Sequence, residues 1–486
     1  MKDSQTSPAT MRIMAAAIGV IFAAGLGSSF AATAREPVLS AEPIKQATIN
    51  RVYQIEQSAA KESQTVQRLP EHDDDFLVGG LSDLAFHGGH LWAITDRGPN
   101  GTIDSVGGGK RTLLKPGFVP SLLLLESVLL DGGESFRAAG KLPVKRVVPL
   151  RGRSGKPVSG RPNGIGRDLP AYDAQGNASL GVDPNGIDCE GVVVLDDGTF
   201  WITEEYRPSL LQVSAEGRVL SRHVPQGIGL PGADTTIQQT LPAAYGLRQD
   251  NRGFEAIALA PDESKLYALL QSPLENPHPK AAHKSGNVRL LVFGIQEQRA
   301  VAEHLYRLGD PQDKDFFSKG APPSDGKLCA MACVNDANLL VLEQADGGIA
   351  RLYLVSVESA TDTLELAFAE AGLGPAEGTG QTLEQVRNVT AAGIVPVGKR
   401  LIADLADLLP TMTADAFGPD AGGKKKPRLK LEGLAILDSQ HIVLLNDNDF
   451  GVRDGGKNAS EDPPKSCLWI VTLPEPLSLV LLAGKK

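Results

Sequence analysis

Acidic side chains stand at matching places in several similar segments of the chain. The clearest copy is GIDCEGVVVLDDGTFWITEEYRPSL, which begins at Gly186 and reads as an apolar strand, a polar turn and a second apolar strand. Glu190 starts the first strand, and Glu204 and Glu205 end the second. Carboxylates gathered in this way could hold a hard cation such as Ca²⁺, which takes about six to eight oxygen ligands.

Four further segments repeat the pattern, and they begin at Gly79, Asn251, Gly326 and Lys430. At the start of the first strand, the aligned residues are Asp83, Glu190, Glu255, Ala330 and Glu432. At the end of the second strand, they are Asp96, Glu204 with Glu205, Gln271, Glu343 and Asp447. Because these two places meet at one end of an antiparallel hairpin, we expect the acids to lie together.

A set of acids that share a small space is hard to ionise unless a cation compensates the charge. We therefore predict a metal site and take Ca²⁺ as the cation, because Ca²⁺ tolerates irregular oxygen cages. For any single acid the alternative is structural, since a strand-end carboxylate can accept backbone N–H groups. The predicted metal ligands are Asp83, Asp96, Glu190, Glu255, Glu343, Glu432 and Asp447, to which Asn446 and Asn448 could add carbonyl oxygens.

Two arginines follow the second strands of their hairpins, Arg97 in TDRGP and Arg207 in EEYRP. A guanidinium beside a metal–carboxylate site suits the recognition of phosphate or carboxylate groups. With Glu204 and Glu205 as candidate general bases, these arginines form the predicted catalytic set. The alternative for each arginine is an ion pair with the neighbouring acid.

The hairpins must belong to larger repeating units, because they recur at intervals of roughly 65 to 105 residues. Further strand-like runs follow them, so each unit has four strands, and such units arranged radially make an all-β propeller. We expect six blades, with five or seven also compatible. The runs CLWIVTL from Cys467 or INRVYQIE from Ile49 would supply the remaining blade. Residues 151–186 and 378–428 read as loop insertions on one face.

Composition agrees with a turn-rich β protein, since the chain has 53 Gly and 33 Pro in 486 residues and only 5% aromatic residues. The net charge is −10, and no Lys/Arg-rich face is apparent, which argues against a nucleic-acid partner. There is no Gly-x-Ser-x-Gly, P-loop or His-Glu-x-x-His motif. Four cysteines show no zinc-site spacing, and the sequence leaves disulfides and free thiols equally open.

The N-terminal segment has the pattern of a secretory signal. Arg12 precedes an apolar run that begins at Ile13, and the run is followed by Ala32-Thr33-Ala34. We predict that residues 1–34 are a signal peptide, that residues 35–486 form a single propeller domain, and that the protein is periplasmic or secreted in a bacterium. No stable membrane span would remain after cleavage. An uncleaved N-terminal anchor is the alternative.

The wording of the repeats also resembles a known family. GGLSDLAF with LWAITDRGPNG, CEGVVVLDDGTFWITEEYRPSL, GFEAIALAPDESKLYALLQSPL and LEGLAILDSQHIVLLNDNDFGV are similar to the phytase-like family described as having esterase-like activity of phytase. The resemblance runs from about Phe76 to Leu473. It implies a secreted propeller with acidic blade motifs that hydrolyses phosphoesters or phosphodiesters. The chain departs from the pattern at Gln271 and Ala330.

The leading hypothesis is a Ca²⁺-dependent phosphoesterase that acts on a small phosphorylated or ester substrate. The metal would polarise a phosphoryl oxygen and lower the pKa of a bound water, while Glu204 or Glu205 takes the proton. Arg97 and Arg207 would hold the phosphate. Two alternatives stay open: a metal-dependent lactonase or arylesterase, which NDNDFG would suit, and a Ca²⁺-stabilised propeller that binds without catalysis. The oligomeric state is not predicted.

Overall fold

Short antiparallel sheets make up nearly all of the regular structure of this protein. A computed structural model describes residues 46–56, 79–103, 109–126, 139–164, 168–309, 323–346, 348–364, 366, 381–419, 428–452 and 464–478. These residues belong to one unit of the chain, Pro43–Lys486. The predicted signal peptide lies outside the described residues.

The strands fall into five groups that follow one another along the chain. β1 to β8 are Thr48–Glu56, Leu81–His87, His90–Thr95, Asn100–Ile103, Lys110–Leu113, Ser121–Leu125, Ala139–Pro149 and Ala171–Tyr172. β9 to β17 are Cys189–Val194, Phe200–Glu204, Ser209–Val213, Val219–Pro225, Thr236–Leu241, Phe254–Leu259, Lys265–Leu270, Asn287–Gly294 and Arg299–Arg307. β18 to β24 are Lys327–Asn335, Asn338–Ala345, Ile349–Ser356, Gly398–Asp404, Lys430–Ile436, His441–Asp447 and Cys467–Thr472.

Each group forms one blade of a propeller. Blade one is β2-β3-β6-β7, blade two is β9 to β13, blade three is β14 to β17 and blade four is β18 to β21. Blade five combines β22, β23 and β24 with β1 from the N-terminal part of the described chain. The first strands of the blades, β2, β9, β14, β18 and β22, adjoin one another in a closed ring. The all-β propeller is therefore confirmed, with five blades in the described residues.

The sixth blade expected from the sequence is not formed, because both of its candidate strands belong to blade five. β1 pairs antiparallel with β24, with Val52 opposite Trp469, and β24 continues the sheet of β23. β1 also runs parallel to the outer strand of blade one, with Val52 opposite Ala139. The outer edges of blades one and five are thus joined, and β1 closes the ring. Each of the five acidic hairpins supplies the inner strands of one blade.

Two reading errors concern the regions taken as insertions. Residues 378–428 contain β21, which pairs with β20 as the outer strand of blade four, as well as helix α2 at Leu409–Phe417. Residues 151–186 contain β8, which pairs parallel with β5. β4, β5 and β8 form a small three-stranded sheet outside the blades. A second short helix, α1, lies at Pro279–Lys284.

The core is apolar because the middle of each blade packs between its neighbours. Trp201 of blade two is fully buried and contacts Phe293 of blade three, with ring centroids 5.4 Å apart. At the turn end of the hairpins, the five inner strands line a cavity of about 270 Å³. Gly88 and Gly89 both have positive φ in the first hairpin turn, a conformation that glycine adopts without steric penalty. All four cysteines are free thiols.

Ring closure by β1 can be tested with two substitutions in this strand. Val52 is buried against the fifth blade, so Val52→Asp would place an unpaired charge in the core. We expect the free energy of unfolding to fall by about 3–5 kcal/mol. The matched change Gln54→Asp, at a half-buried position of the same strand, should have a much smaller effect. Urea denaturation measures both, and equal midpoints for the two variants would contradict the closure.

Candidate functional site

The open ends of the hairpins share one irregularity that directs side chains toward the channel. In every blade the first strand carries a β-bulge just after its start, so one extra residue stands opposite the second strand. Bulges re-aim side chains and are common next to binding sites. The bulged residues are Ser82, Glu190 with Gly191, Glu255, Cys329 and Glu432. Three of the five blades therefore offer a glutamate here.

The register also identifies the residues that follow the paired end of each second strand. The last paired residues before the bulges are Thr95, Glu204, Leu270, Glu343 and Asn446. The next residues in the chain are Asp96, Glu205, Gln271, Gln344 and Asp447. The sequence alignment is therefore off by one residue in two places: Glu343 corresponds to Glu204 rather than Glu205, and Ser82 rather than Asp83 is the bulged residue. A bulge adds a residue without changing the apolar pattern, which is why the sequence hides the shift.

Three acids come together at the mouth of the channel. Oxygens of Asp188, Glu190 and Glu205 all lie within 4.8 Å of one another, and all three residues are buried. The backbone links this cluster, since the Glu205 N–H donates to the Asp188 carbonyl at 3.0 Å. Neither side-chain oxygen of Glu205 has a hydrogen-bond partner among the described residues. We call these three residues the acid cluster; it could hold a metal ion.

Arg97 is the cation nearest to the acid cluster. Its Nη2 lies 2.8 Å from Asp188 Oδ2 and 3.6 Å from Glu205 Oε2, and it donates to Asn251 Oδ1. Its backbone N–H donates to Asp188 Oδ1 at 3.1 Å. These contacts fix the guanidinium through one nitrogen. Nη1 and Nε of Arg97 are buried and have no hydrogen-bond partner in the part of the chain that the structure describes.

Burial and mutual repulsion raise the pKa of every member of the acid cluster. Burial is the largest cause for Glu190, and the charges of Asp188 and Glu255 raise its pKa further. For Glu205, burial and then Asp188 raise the pKa, while Arg97 opposes them. For Asp188, burial outweighs the lowering effect of Arg97. One guanidinium thus leaves the ionised cluster undercompensated, as expected for carboxylates that await a cation.

Four other predicted ligands surround the acid cluster but do not join it. The pKa of Asp96 is raised by burial and then by Asp447 and Asp188, which places these acids close together. The pKa of Glu255 is raised by burial and then by Glu205 and Glu432, and its Oε2 accepts from Gln271 Nε2 at 2.7 Å.

Asp447 and Glu432 have a cationic neighbour of their own. Lys430 Nζ lies 3.2 Å from Asp447 Oδ2 and also contacts Asp449. Lys430 further acts to lower the pKa of Glu432, although burial raises that pKa overall. On the blade-five side of the mouth, lysine therefore supplies part of the compensating charge.

The remaining predicted residues lie apart from the cluster. Glu204 pairs with Arg222 and accepts from Asn163 Nδ2 at 2.7 Å. Asp83 accepts from the Val192 N–H of the next blade at 3.0 Å, so this carboxylate links two inner strands.

Glu343 has its own partners between blades three and four, because it occupies the outward-facing position that Glu204 takes in blade two. The Gly309 N–H donates to it at 3.0 Å, and Tyr306 Oη and Lys399 Nζ also contact it. Arg207 donates its backbone N–H to Glu204, and its guanidinium packs over Gly164, where a Cβ would lie 2.3 Å from Nη2.

Sequence reasoning missed several residues at the mouth. Asp188 is two residues before Glu190, and side chains two apart on a strand share a face, so this spacing could have identified it. No comparable signal marks Asn163, Arg111, Asn251 or Arg248, because they come from connections that only folding brings to the mouth. Gly253 allows one such approach, since a Cβ there would lie 2.3 Å from the Glu205 carbonyl oxygen.

Comparison with known proteins gives the class of this molecule. Residues 77–450 match the phytase-like family, described as esterase-like activity of phytase. The chain therefore belongs to the phytase-like family, which supports a hydrolase-like propeller. No helix in the described ranges is long and apolar enough to cross a membrane.

Individual relatives are distant. An uncharacterized secreted protein of Arthroderma benhamiae (strain ATCC MYA-4681 / CBS 112371) is 27% identical over 262 residues, which cover 47% of this chain and 49% of that protein. The chain thus spans about half the length of this curated relative. A glycosyl hydrolase from Bacteroides ovatus is 10% identical, with a TM-score of 0.33 and coverage of 88% and 90% of the two chains. A luciferin-regenerating enzyme is 10% identical, with a TM-score of 0.31 and coverage of 81% and 92%. Scores this low carry no argument about function.

The raised pKa values predict how the metal-free protein responds to pH. The folded chain keeps protons on the acid cluster that the unfolded chain releases above about pH 4. With chelator present, the stability contribution of the cluster should therefore be full in acid and be lost as the pH rises through the raised pKa values. Glu205→Gln should weaken this dependence, whereas Glu205→Asp should keep it. Melting temperatures between about pH 4 and 8 test this, and identical profiles for the Gln and Asp variants would contradict it.

Proposed function

We propose that this protein is a secreted, Ca²⁺-dependent phosphoesterase whose active site is the acid cluster with Arg97. The observation that carries the proposal is the juxtaposition of three buried carboxylates, one with both oxygens lacking hydrogen bonds, and a buried guanidinium with two unpartnered nitrogens. Such a site is suited to a cation and an anionic group side by side. Membership in the phytase-like family supports an ester of phosphoric acid as the substrate.

The donor set fits a hard cation. Asp188, Glu190 and Glu205 would hold Ca²⁺, since all three offer oxygen and their raised pKa values reflect charge that lacks compensation. When bound, the cation supplies Lewis-acid polarisation of a phosphoryl oxygen. We leave Glu343 and Asp83 out of this ligand set because their oxygens are engaged elsewhere. Asp96, Glu255, Glu432 and Asp447 would act through the field at the mouth.

The chain's own groups supply the other parts of the chemistry. Arg97 would donate Nη1–H and Nε–H to phosphate oxygens while Nη2 stays on Asp188. Glu205 is the better of the two predicted bases, because a raised pKa makes it a stronger proton acceptor than a solvated carboxylate. Glu204 is the weaker candidate because Arg222 and Asn163 already occupy it. Arg207 as a second phosphate contact stays a prediction.

The same proposal covers location and domain organisation. Residues 1–34 have the pattern of a cleaved signal peptide, and residues 35–486 would form the single mature domain. The Arthroderma relative is described as secreted. In a bacterium this would place the protein in the periplasm or outside the cell.

Metal binding is tested first. Ca²⁺ should raise the melting temperature, since a ligand present at a hundredfold excess over its Kd stabilises the folded state by about 2.7 kcal/mol. Asp188→Asn and Glu190→Gln should abolish the shift. The matched variant Glu343→Gln, which removes a buried acid outside the cluster, should keep it. If the wild-type curve is the same in chelator and in millimolar Ca²⁺, the metal site is disproved.

Catalysis is tested with four chromogenic substrates: a phosphomonoester, a phosphodiester, an aryl ester and a lactone. Arg97→Gln should lower phosphoester kcat/KM by about 10²- to 10³-fold, because it removes charge-assisted donors to the transition state. Its Ca²⁺ affinity should not fall, since Arg97 is a neighbouring cation and not a ligand. Unchanged phosphoester turnover would remove Arg97 from the mechanism. Cleavage of the lactone or aryl ester alone would favour the lactonase alternative, and Ca²⁺ binding without any turnover would favour the non-catalytic one.

A further inference from the structure

A second buried arginine reaches the site from outside the blades. Arg111 lies on β5, the central strand of the three-stranded sheet, and its backbone is held on both sides, opposite Thr102 of β4 and Ala171 of β8. Only 7% of the residue is exposed. The strands that carry it leave and rejoin blade one at the open end of the hairpin, so the sheet stands at the acidic mouth of the channel.

The charge of Arg111 acts on the acid cluster itself. It opposes the burial that raises the pKa of Asp188 and of Glu205, and it acts in the same direction on Tyr206. Arg97 acts on the same three groups and lies over the Tyr206 ring, with its guanidinium carbon 5.5 Å from the ring centroid. Two guanidinium groups from different parts of the chain therefore face one cluster of carboxylates.

Arg111 is held loosely by its own acidic neighbour. Its Nη2 lies 3.7 Å from Asp250 Oδ2, longer than a hydrogen bond, and Asp250 Oδ1 accepts from the Leu169 N–H at 3.2 Å. Its Nη1 is buried and has no hydrogen-bond partner in the described ranges. Leaving such a donor unpaired in a buried site is unfavourable unless a ligand completes it.

Counted together, the two arginines offer three buried nitrogens that lack partners: Nε and Nη1 of Arg97 and Nη1 of Arg111. A phosphomonoester brings three terminal oxygens and close to two negative charges at neutral pH, since its second pKa is about 6. A phosphodiester has two such oxygens and one charge, and a lactone has no charge. The monoester therefore matches both the number of donors and the cationic charge.

We propose that Arg111 is a second anion-binding residue of this site and determines its preference for phosphomonoesters over phosphodiesters. The inference rests on the proposed phosphoesterase function and specifies its substrate class. The three-stranded sheet thereby gains a role, because it delivers the specificity-determining residue to a mouth that the blades build.

The test compares two non-hydrolysable probes that share a phenyl ring, phenylphosphonate and its methyl ester. They differ by one negative charge and one terminal oxygen. Calorimetry on the full chain with Ca²⁺ should show that the wild type prefers phenylphosphonate by tenfold or more. Arg111→Gln should weaken phenylphosphonate binding by about 10- to 100-fold, the range expected for a lost charge-assisted hydrogen bond, and leave the methyl ester nearly unaffected. Arg111→Lys should fall between the two.

Two controls separate specificity from stability. Arg299→Gln removes an arginine from an exposed position at the opposite end of the hairpins and should change neither affinity. If Arg111→Gln does not fold, Arg111→Lys carries the comparison, because it keeps the charge and loses the planar donors. Equal losses for both probes, or no loss for phenylphosphonate, would overturn the role of Arg111.

Failure of this inference is distinguishable from failure of the proposed function. If the wild type cleaves phosphoesters while the Arg111 variants keep its monoester preference, the function stands and Arg111 is not its specificity residue. If the wild type shows the probe preference, loses it with Arg111 and cleaves no phosphoester, the anion site stands and the catalytic function falls.

Discussion

Five antiparallel hairpins bring their open ends to one axis, so the side chains at those ends share a small and poorly hydrated space. Charge placed there is costly unless it is paired, because burial disfavors the ionised form of a carboxylate. The raised pKa values of Asp188, Glu190 and Glu205 express this penalty directly. A stable propeller has no need of such an arrangement, since apolar ends would pack at lower cost. The acids are therefore best explained by a ligand that compensates them.

The molecule deals with this charge in two different ways around the ring. On the side of blade five, lysine neutralises Asp447 through Lys430. On the side of blade two, compensation is incomplete, because one nitrogen of Arg97 serves Asp188 and Glu205 while the other two have no partner. The asymmetry localises the reactive part of the mouth. A ring with equal acids in every blade would spread a cation over many positions, whereas this one concentrates the deficit at three carboxylates.

The blades and the connections divide the work between them. Inner strands supply the carboxylates, and their bulges turn Glu190, Glu255 and Glu432 toward the channel. Connections at the same end supply the cationic and amide groups, including Arg111 from the small sheet and Asn251 from the segment before β14. Blades are constrained by packing against two neighbours, so their sequences change little without loss of stability. The connections are free of that constraint, which is why they can adjust specificity on a common scaffold.

The repeat of apolar runs and terminal acids was sufficient to predict the all-β propeller, the gathering of acids at one mouth and the family, because strand periodicity and hairpin geometry are local properties of the chain. The blade count needed the tertiary structure: β1 and β24 each read as a spare strand, and only their pairing across the ring shows that they complete the same blade. The bulges likewise moved Glu343 out of the site, since a one-residue shift of register reverses the face of a side chain. Asp188 was within reach of the sequence through its spacing from Glu190. Arg111 and Asn251 were not, because no local pattern encodes which distant loop residue comes to rest beside a given carboxylate.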